Sequence, residues 1–96
     1  MLLDDIQKNK DEINALVSQC GGRRIRVFGS VSRREEDSNS DVDFLVDLPR
    51  GYDLFSQRLA LSFRLKELLN REVEVIPEHE LNEYMREHII NEAVDL

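Results

Sequence analysis

Two aspartates stand one residue apart where an apolar run begins, as Asp41 and Asp43 of the segment DVDFLVDL. Aspartate is a poor strand former, so two of them at the start of a strand need a chemical reason. Side chains two positions apart on a strand point to the same face, with Cα atoms about 6.6–7 Å apart. Two carboxylates held in this way favour a divalent cation between them, and Mg²⁺ prefers such hard oxygen ligands.

A third acid, Glu74, lies within a later apolar segment, REVEVIP. If the two segments form neighbouring strands, Glu74 joins Asp41 and Asp43 on one face of the sheet. Three acids can hold two Mg²⁺ ions about 3.5–4 Å apart, the separation used for in-line phosphoryl transfer. We therefore predict a two-metal site, although a single glutamate on a strand is more often an exposed residue without a special role.

A glycine–serine pair, Gly29 and Ser30, ends an earlier apolar run. Glycine lets the backbone pass close to a ligand, and the turn after it presents N–H groups that suit phosphate oxygens. The Ser30 hydroxyl is placed to bond a terminal phosphate, and Arg33 is placed to add a positive charge. Each feature alone is common and weak. Their spacing, Gly-Ser followed by ten residues and then Asp-x-Asp, is far more restrictive.

The elements that must position these residues follow from hydrophobic periodicity and from turn residues. We predict a first helix ending at Gly21-Gly22, strands over Ile25–Phe28, 41–48 and 71–77, a long helix over 52–69 capped by Asp53, and a last helix within 78–96. This order predicts an α+β (mixed α/β) fold with a small three- to four-stranded sheet and helices packed mainly on one face. The long helical crossover allows the second and third strands to run parallel, whereas the first and second can run antiparallel.

Two apolar stripes run along the long helix, and a third set of apolar residues marks the last helix. The stripes are Leu54, Leu61, Leu65 and Leu68, and beside them Phe55, Leu59 and Phe63; in the last helix, Leu81, Tyr84, Met85, Ile89 and Val94 are expected to face inward. The combined arc on the long helix is wider than a surface helix needs. Either both stripes face one core, or the second stripe meets another protein.

Composition limits the kind of protein further. Ninety-six residues, 41% of them hydrophobic, predict one globular domain spanning residues 1–96. The formal charge of −7 disfavours a protein that mainly grips nucleic acid, and a polyphosphate ligand would need metal cations. The chain has no apolar run long enough to cross a membrane, no signal-peptide pattern at its start and a single cysteine, Cys20. A cytoplasmic location is therefore expected.

The motif Gly29-Ser30 through Asp41-Val42-Asp43 resembles the signature of the polymerase-β-type nucleotidyltransferases. The small size and the C-terminal segment REVEVIPEHELNEYMREHIINEAV resemble the minimal nucleotidyltransferases, which include antitoxin-like proteins. The resemblance covers nearly the whole chain after about position 24. It implies the polymerase-β-like nucleotidyltransferase fold.

The resemblance also implies roles for individual residues. Gly29, Ser30 and Arg33 would bind the nucleotide triphosphate, and Asp41 and Asp43 would hold two Mg²⁺ ions. Glu74 would act as the third acid, at a position where the family usually has aspartate. Ser32-Arg33-Arg34 stands where the family often has Ala-Arg-Gly, so that Arg34 replaces a glycine.

The reaction implied by the resemblance is transfer of AMP from ATP to a hydroxyl. The implied partner is an HEPN-domain RNase toxin, modified on a tyrosine, with which the chain would form a hetero-oligomer. A second hypothesis is a catalytically weak module that neutralises its partner by occlusion alone. A third, transfer to a small molecule, is disfavoured because 96 residues leave no second domain for a small acceptor. The sequence leaves open which nucleotide is used, which hydroxyl accepts it and how many units are added.

Overall fold

The computed structural model describes residues 2–96. Its elements, in chain order, are helices α1 (Leu2–Lys8) and α2 (Lys10–Gln19), strands β1 (Ile25–Phe28) and β2 (Val42–Val46), a π-helical segment (Leu54–Leu59) that continues into helix α3 (Ala60–Leu69), strand β3 (Val73–Pro77), a 3₁₀ turn (Glu78–Glu80), helix α4 (Glu83–Glu92) and strand β4 (Val94–Asp95). This is the α+β class that the sequence predicts. No helix in the described range is both long and apolar enough to span a bilayer.

The four strands form one sheet in the order β3-β2-β1-β4. Strands β2 and β3 run parallel, because the chain crosses over between them through α3, and β1 runs antiparallel to β2. Both relations agree with the sequence prediction. The register aligns Phe28 with Asp43 on one side of β2 and Glu74 with Asp43 on the other. The C-terminal end of β1 and the N-terminal ends of β2 and β3 therefore lie side by side at one end of the sheet.

The sheet buries a different set of side chains on each face, as the two-residue period of a strand requires. On one face, Val27, Phe44 and Val46 are fully buried against residues of α1, α2 and α3 such as Ile13 and Leu65. On the other face, Phe28, Leu45 and Ile89 form a smaller cluster under α4. Asp43 and Glu74 alternate with core residues and therefore share the α4 face. Helices pack mainly on the first face, as predicted.

The first helix is interrupted, although its periodicity predicts one continuous helix. The break falls at Asn9, whose side-chain amide donates a hydrogen bond to the Asp5 carbonyl at 2.9 Å. Asparagine side chains compete with the backbone for such bonds, which weakens the helix at that point. The predicted end at Gly21 is correct, since Gly21 adopts a φ of +79°. The predicted cap of the long helix is also correct, because the Asp53 carboxylate accepts a hydrogen bond from the Ser56 N–H.

The C-terminal segment differs from its prediction. Tyr84 and Met85 are 89% and 55% exposed rather than inward-facing, because only the last turns of α4, around Ile89, pack on the sheet. Val94 lies outside the helix and pairs with Val27 in β4. A strand of two residues is too short to leave a periodic signal in the sequence, so this segment was wrongly predicted to be helical to its end.

The two stripes on the long helix have separate environments. Leu61 and Leu65 are fully buried in the core. Phe55 and Phe63 of the second stripe are 75% and 66% exposed, so the two stripes do not face one core. Leu54, assigned to the first stripe, is also 44% exposed, since it lies in the π-helical segment where the α-helical period does not hold.

The α4 face carries a balanced group of charges at the end of the sheet remote from Asp43. The Arg26 side chain, 4% exposed, donates hydrogen bonds to Asp47 at 3.2 Å and to Glu78 at 2.9 Å. Arg86 donates to the same Glu78 carboxylate at 3.0 Å. Two arginines thus neutralise two acids, which is the usual condition for burying charge. This network supports the fold, and it contrasts with the acidic edge at the other end.

Candidate active site

Three carboxylates lie together at the edge where β2 and β3 begin. Glu74 of β3 is the direct register partner of Asp43 in the parallel pair, and Asp41 stands one residue before β2. Asp43 is partly buried, whereas Asp41 and Glu74 are exposed. The structure therefore places all three predicted acids at one edge, with Asp43 between the strand that carries Glu74 and the strand that ends at Phe28.

Burial and neighbouring negative charges act together on the Asp43 carboxyl. Burial, followed by the charges of Glu74 and Asp41, raises the pKa of Asp43 to about 6. The negative charge of Glu92 on α4 adds to the same shift. Removal from water and nearby negative charge both raise the pKa of an aspartate, and both act on Asp43. A site of this kind favours a bound cation.

The Gly29-Ser30 turn touches the acidic group directly. Gly29 follows β1 and has a backbone φ of +75°, a conformation that residues other than glycine rarely adopt. A Cβ atom at this position would lie 2.4 Å from Asp43 Oδ2. Only glycine therefore lets the turn approach the Asp43 carboxylate so closely. The Gly29-Ser30 turn and the acids predicted from the sequence therefore lie together in the structure.

The turn after Gly29 is held by its own backbone. The Arg33 N–H donates to the Gly29 carbonyl at 3.3 Å, and the Glu35 N–H donates to the Ser30 carbonyl at 2.9 Å. The Ser32 hydroxyl adds a bond to the Gly29 carbonyl at 2.7 Å. These bonds use the N–H groups of Arg33 and Glu35 and fix the path of the turn, in which Ser30 is half-buried.

Arg34, which stands in place of the family's glycine, adopts the conformation that glycine would adopt. Its φ is +58°, in the left-handed region, at a cost of roughly 1–2 kcal/mol for a residue with a side chain. Its guanidinium donates two hydrogen bonds of 2.8 Å to the Asp4 carboxylate of α1. This bidentate pair ties the turn to α1 and offsets part of the backbone strain. Arg34 thus holds the left-handed conformation without a glycine.

Glu92, the last residue of α4, belongs to this site although no motif pointed to it. Its carboxylate accepts a hydrogen bond from the Gly29 N–H at 2.9 Å and another from Arg33 Nη1 at 2.8 Å. One signal was available in the sequence: a carboxylate at the C-terminal end of a helix is unfavourable with the helix dipole, so it needs a specific partner. Arg33 is thus near the turn as predicted, but its guanidinium is shared between Glu92 and Glu35.

The donor set suits Mg²⁺ by its chemistry. Asp41, Asp43 and Glu74 offer hard carboxylate oxygens on one face, and the raised pKa of Asp43 reflects first its burial and then the charges of the other two acids. Across residues 2–96, no three acidic, histidine or cysteine side chains converge closely enough to enclose an ion by themselves. Mg²⁺ commonly takes one or two carboxylates from a protein and completes its shell with water and substrate phosphates. An open set of acids beside the Gly29-Ser30 turn matches that pattern.

A polar cavity of about 350 Å³ adjoins this edge of the sheet. It is lined by Ser38, Asn39, Ser40, Asp41, Asn70, Arg71 and Glu72. Asp41 is shared between the cavity and the acidic group, and Glu72 lies two residues before Glu74. A more apolar cavity of about 460 Å³ involves α2 and α3 on the opposite side of the sheet from the acids. We locate the site by its acids and turn rather than by cavity size.

An acid-bearing strand edge beside a glycine–serine turn defines a class of enzymes that transfer phosphate-containing groups. Comparison with known proteins identifies the family within that class. Residues 6–96 match the family model described as nucleotidyltransferase domain. The chain belongs to the nucleotidyltransferase domain family, and its chemistry is nucleotidyl transfer.

Two proteins at 33% identity resemble this chain over almost its full length. One is a protein of Methanocaldococcus jannaschii, named as a proposed protein adenylyltransferase, with a match over 92 residues that covers 96% of this chain and 98% of the relative. The other is a solved structure described as a candidate minimal nucleotidyltransferase, with a TM-score of 0.86 and coverage of 100% and 97%. The fold predicted from the sequence is therefore confirmed.

A third similar protein comes from a complex. The solved structure of the tri-AMPylated Shewanella oneidensis HEPN toxin with its MNT antitoxin matches at a TM-score of 0.68 and 20% identity. The match covers 93% of this chain and 69% of that one. At this identity the likeness shows a shared fold.

Proposed function

We propose that this protein is a Mg²⁺-dependent protein adenylyltransferase and acts as an antitoxin. It transfers AMP from ATP to a hydroxyl, most simply a tyrosine hydroxyl, of a partner HEPN RNase toxin. The observation that carries the proposal is the contact between Gly29 and Asp43, with Asp43 paired to Glu74 in the sheet. The names of the similar proteins support adenylyl transfer and an HEPN partner.

The residues of the site divide the work of the reaction. Gly29, Ser30 and Arg33 bind the β- and γ-phosphates, so that the α-phosphorus lies beside Asp43. Asp41 and Asp43 would hold one Mg²⁺ and Asp43 and Glu74 a second; bound Mg²⁺ neutralises phosphate charge and lowers the pKa of the attacking hydroxyl. The hydroxyl oxygen bonds to the α-phosphorus and the bond to the β-phosphate oxygen breaks. Pyrophosphate leaves, and Glu74 takes the hydroxyl proton.

The acceptor tyrosine and the rest of the partner protein contact different parts of the surface. The polar cavity beside Asp41 lies on the β3 side of the acids, where the acceptor hydroxyl must reach Glu74. The exposed Phe55 and Phe63 on the long helix offer an apolar surface for the partner. In this proposal residues 1–96 work as one minimal nucleotidyltransferase domain, in the cytoplasm and within a hetero-oligomer, without direct contact to nucleic acid.

Neutralisation by occlusion alone is the second candidate function. Phe55 and Phe63 favour it, because 75% and 66% exposure is unusual for phenylalanine on a helix that also packs a core. The two functions can coexist in one protein. The double variant Asp41→Asn/Asp43→Asn separates them, since it removes the metal-binding acids and leaves the apolar surface. If this variant still silences the partner fully, occlusion is sufficient.

One assay tests the proposed reaction. The protein is incubated with ATP labelled at the α-phosphate, Mg²⁺ and the protein encoded by the neighbouring gene as the acceptor. Label and the mass of AMP should appear on the partner, and a peptide map should locate them. EDTA and the double variant should both abolish labelling. Labelling that persists in the double variant would contradict the assignment of the acids.

Ser30→Ala is expected to raise KM for ATP about tenfold and to change kcat much less. The hydroxyl supplies one hydrogen bond to a charged phosphate, and such bonds contribute about 1.5–3 kcal/mol. Steady-state kinetics at varied ATP measure the effect. Ser18→Ala, on an exposed face of α2, is the matched control and should match the unmodified protein. An unchanged KM in Ser30→Ala would remove Ser30 from the nucleotide site.

A further inference from the structure

Glu92 makes contacts that are unusual for the last residue of a helix. Its side chain is 14% exposed and lies over the Gly29 turn rather than in solvent. One carboxylate oxygen accepts from the Gly29 N–H at 2.9 Å, and the other accepts from Arg33 Nη1 at 2.8 Å. His88, one turn earlier, lies 3.6 Å from the same second oxygen. Glu92 thus receives one backbone and one guanidinium hydrogen bond, while it opposes the dipole of its own helix.

These donors are of the kinds that bind phosphate. A backbone N–H at a glycine turn and an arginine guanidinium are both common ligands of phosphate oxygens, and a carboxylate presents two oxygens of similar charge and spacing. In the proposed reaction, Gly29 and Arg33 bind the triphosphate. Glu92 and a phosphate group therefore compete for the same hydrogen bonds.

We propose that the Glu92 carboxylate occupies the phosphate subsite of the free protein, so that a ligand must displace it to bind. Glu92 then determines specificity. A triphosphate replaces both of its hydrogen bonds and adds contacts to Ser30, whereas a single phosphate only exchanges one anion for another. This inference rests on the proposed function, since it assigns a subsite within the same active site.

Displacement requires rotation of one side chain and no movement of the helix. The backbone on both sides of Glu92 is held in place: Ile89 is buried, Val94 pairs with Val27 in the sheet, and Asp95 accepts hydrogen bonds of 2.7 and 2.8 Å from Arg24. The Glu92 side chain has three rotatable bonds and can turn to solvent. Arg33 keeps its bond to Glu35 at 3.0 Å, so it stays beside the turn when Glu92 leaves.

The test uses inorganic tripolyphosphate, which contains the phosphates without a nucleoside. Binding is measured by calorimetry, first with EDTA present and then with Mg²⁺, for the unmodified protein, Glu92→Ala, Glu92→Gln and Glu87→Ala. Glu87 is exposed on the same helix, so Glu87→Ala removes the same charge away from the turn. We expect about tenfold tighter binding to Glu92→Ala, the scale of one charged hydrogen bond. Glu92→Gln should bind a few-fold tighter, and Glu87→Ala should stay within about twofold, because distant exposed charges are screened.

A second readout reports on the turn itself. The Gly29 amide resonance should shift in free Glu92→Ala, and it should shift in the unmodified protein when tripolyphosphate is added. The resonance should not shift in Glu87→Ala. Inorganic phosphate at the same concentration should leave it unchanged in the unmodified protein and move it in Glu92→Ala. If thermal unfolding shows that Glu92→Ala does not fold, Glu92→Gln gives the same test, because it keeps the shape and loses the charge.

The outcomes separate this inference from the proposed function. Equal binding by all four proteins, or weaker binding by Glu92→Ala, would overturn the inference and leave the phosphate site in place. In the second case Glu92 would be a positioning residue for Arg33. Failure of all four proteins to bind tripolyphosphate, with or without Mg²⁺, would overturn the proposed function and the inference together.

Discussion

Gly29→Ala is expected to remove most transferase activity, by about a hundredfold or more, and to destabilise the fold. Two physical effects combine at this position. The φ of +75° is strained for alanine, at a cost of roughly 1–2 kcal/mol. The new Cβ would also lie 2.4 Å from Asp43 Oδ2, so the Asp43 carboxylate must rotate away. Loss of one correctly placed charged group at a reacting centre typically costs about 10²–10³ in rate.

Two other glycines separate these effects. Gly21 has a φ of +79°, so Gly21→Ala meets the same backbone strain, but its new Cβ meets only the flexible Gln57 side chain, remote from the acids. Gly51 has open space around it, and Gly51→Ala should be neutral or slightly stabilising. Thermal unfolding and transfer assays are run on all three. We expect Gly29→Ala and Gly21→Ala to lose comparable stability, and only Gly29→Ala to lose activity.

Either of two results would contradict this account. If Gly21→Ala lost as much activity as Gly29→Ala, the loss would follow from general destabilisation rather than from contact with Asp43. If Gly29→Ala retained full activity, the turn would not be part of the site. The comparison therefore tests directly whether the turn and the acids act together.

The site was largely predictable because its residues are placed by simple rules. Alternation along DVDFLVDL puts Asp41 and Asp43 opposite the buried Val42 and Phe44, and the glycine ends the preceding strand. The crossover helix favours a parallel partner for this strand. The sequence alone does not fix the register that places Glu74 beside Asp43, because that register depends on how α3 packs against the sheet. Glu74 was predicted to join the site because three carboxylates can together hold two Mg²⁺ ions.

Other features depend on contacts between distant segments, which local patterns do not record. Tyr84 and Met85 follow helical spacing, yet only the end of α4 reaches the sheet. Val94 leaves the helix because an unpaired edge of β1 is available to it. Glu92 contacts Gly29, which lies 63 positions earlier in the chain, only after α4 has packed on the sheet. The position of Glu92 at the end of a helix indicates that it needs a partner, but the sequence does not show that the partner is Gly29.

The acidic group also lowers the stability of the free protein, and this connects its function to its fold. Asp43 ionises less readily in the folded chain, with a pKa of about 6 against 3.8 for the unperturbed group. The folded state therefore binds this proton more tightly than the unfolded state does. It follows that stability decreases as pH rises from about 4 to about 6, and that the full penalty remains above pH 6. A functional site commonly retains such a penalty, because ligand binding requires the charge.

Asp43→Asn is accordingly expected to abolish transfer and to stabilise the metal-free protein. The amide keeps the shape of the side chain but removes the charge that repels Glu74 and Asp41, and it is a poor ligand for Mg²⁺. Activity should fall by about 10³-fold, the scale for loss of a preorganised charged group. Solvent screens this half-buried carboxylate, so the gain in stability should be only about 1 kcal/mol. In a domain of this size, that gain raises Tm by about 4–8 °C.

The pH dependence of this gain in stability shows whether it comes from removing the charge of Asp43 or from a change in side-chain packing. At pH 8 in EDTA, Asp43→Asn should unfold at a higher temperature than the unmodified protein, and near pH 4 the difference should be much smaller, because Asp43 is then protonated in the folded chain. Asp11→Asn, on the exposed surface of α2, should show no such difference at either pH. With Mg²⁺ and a non-hydrolysable ATP analogue the order should reverse, since only the unmodified protein gains stability from the ligand. If Asp43→Asn were less stable at pH 8 without metal, repulsion would not govern this site and the case for a cation among its acids would lose its physical basis.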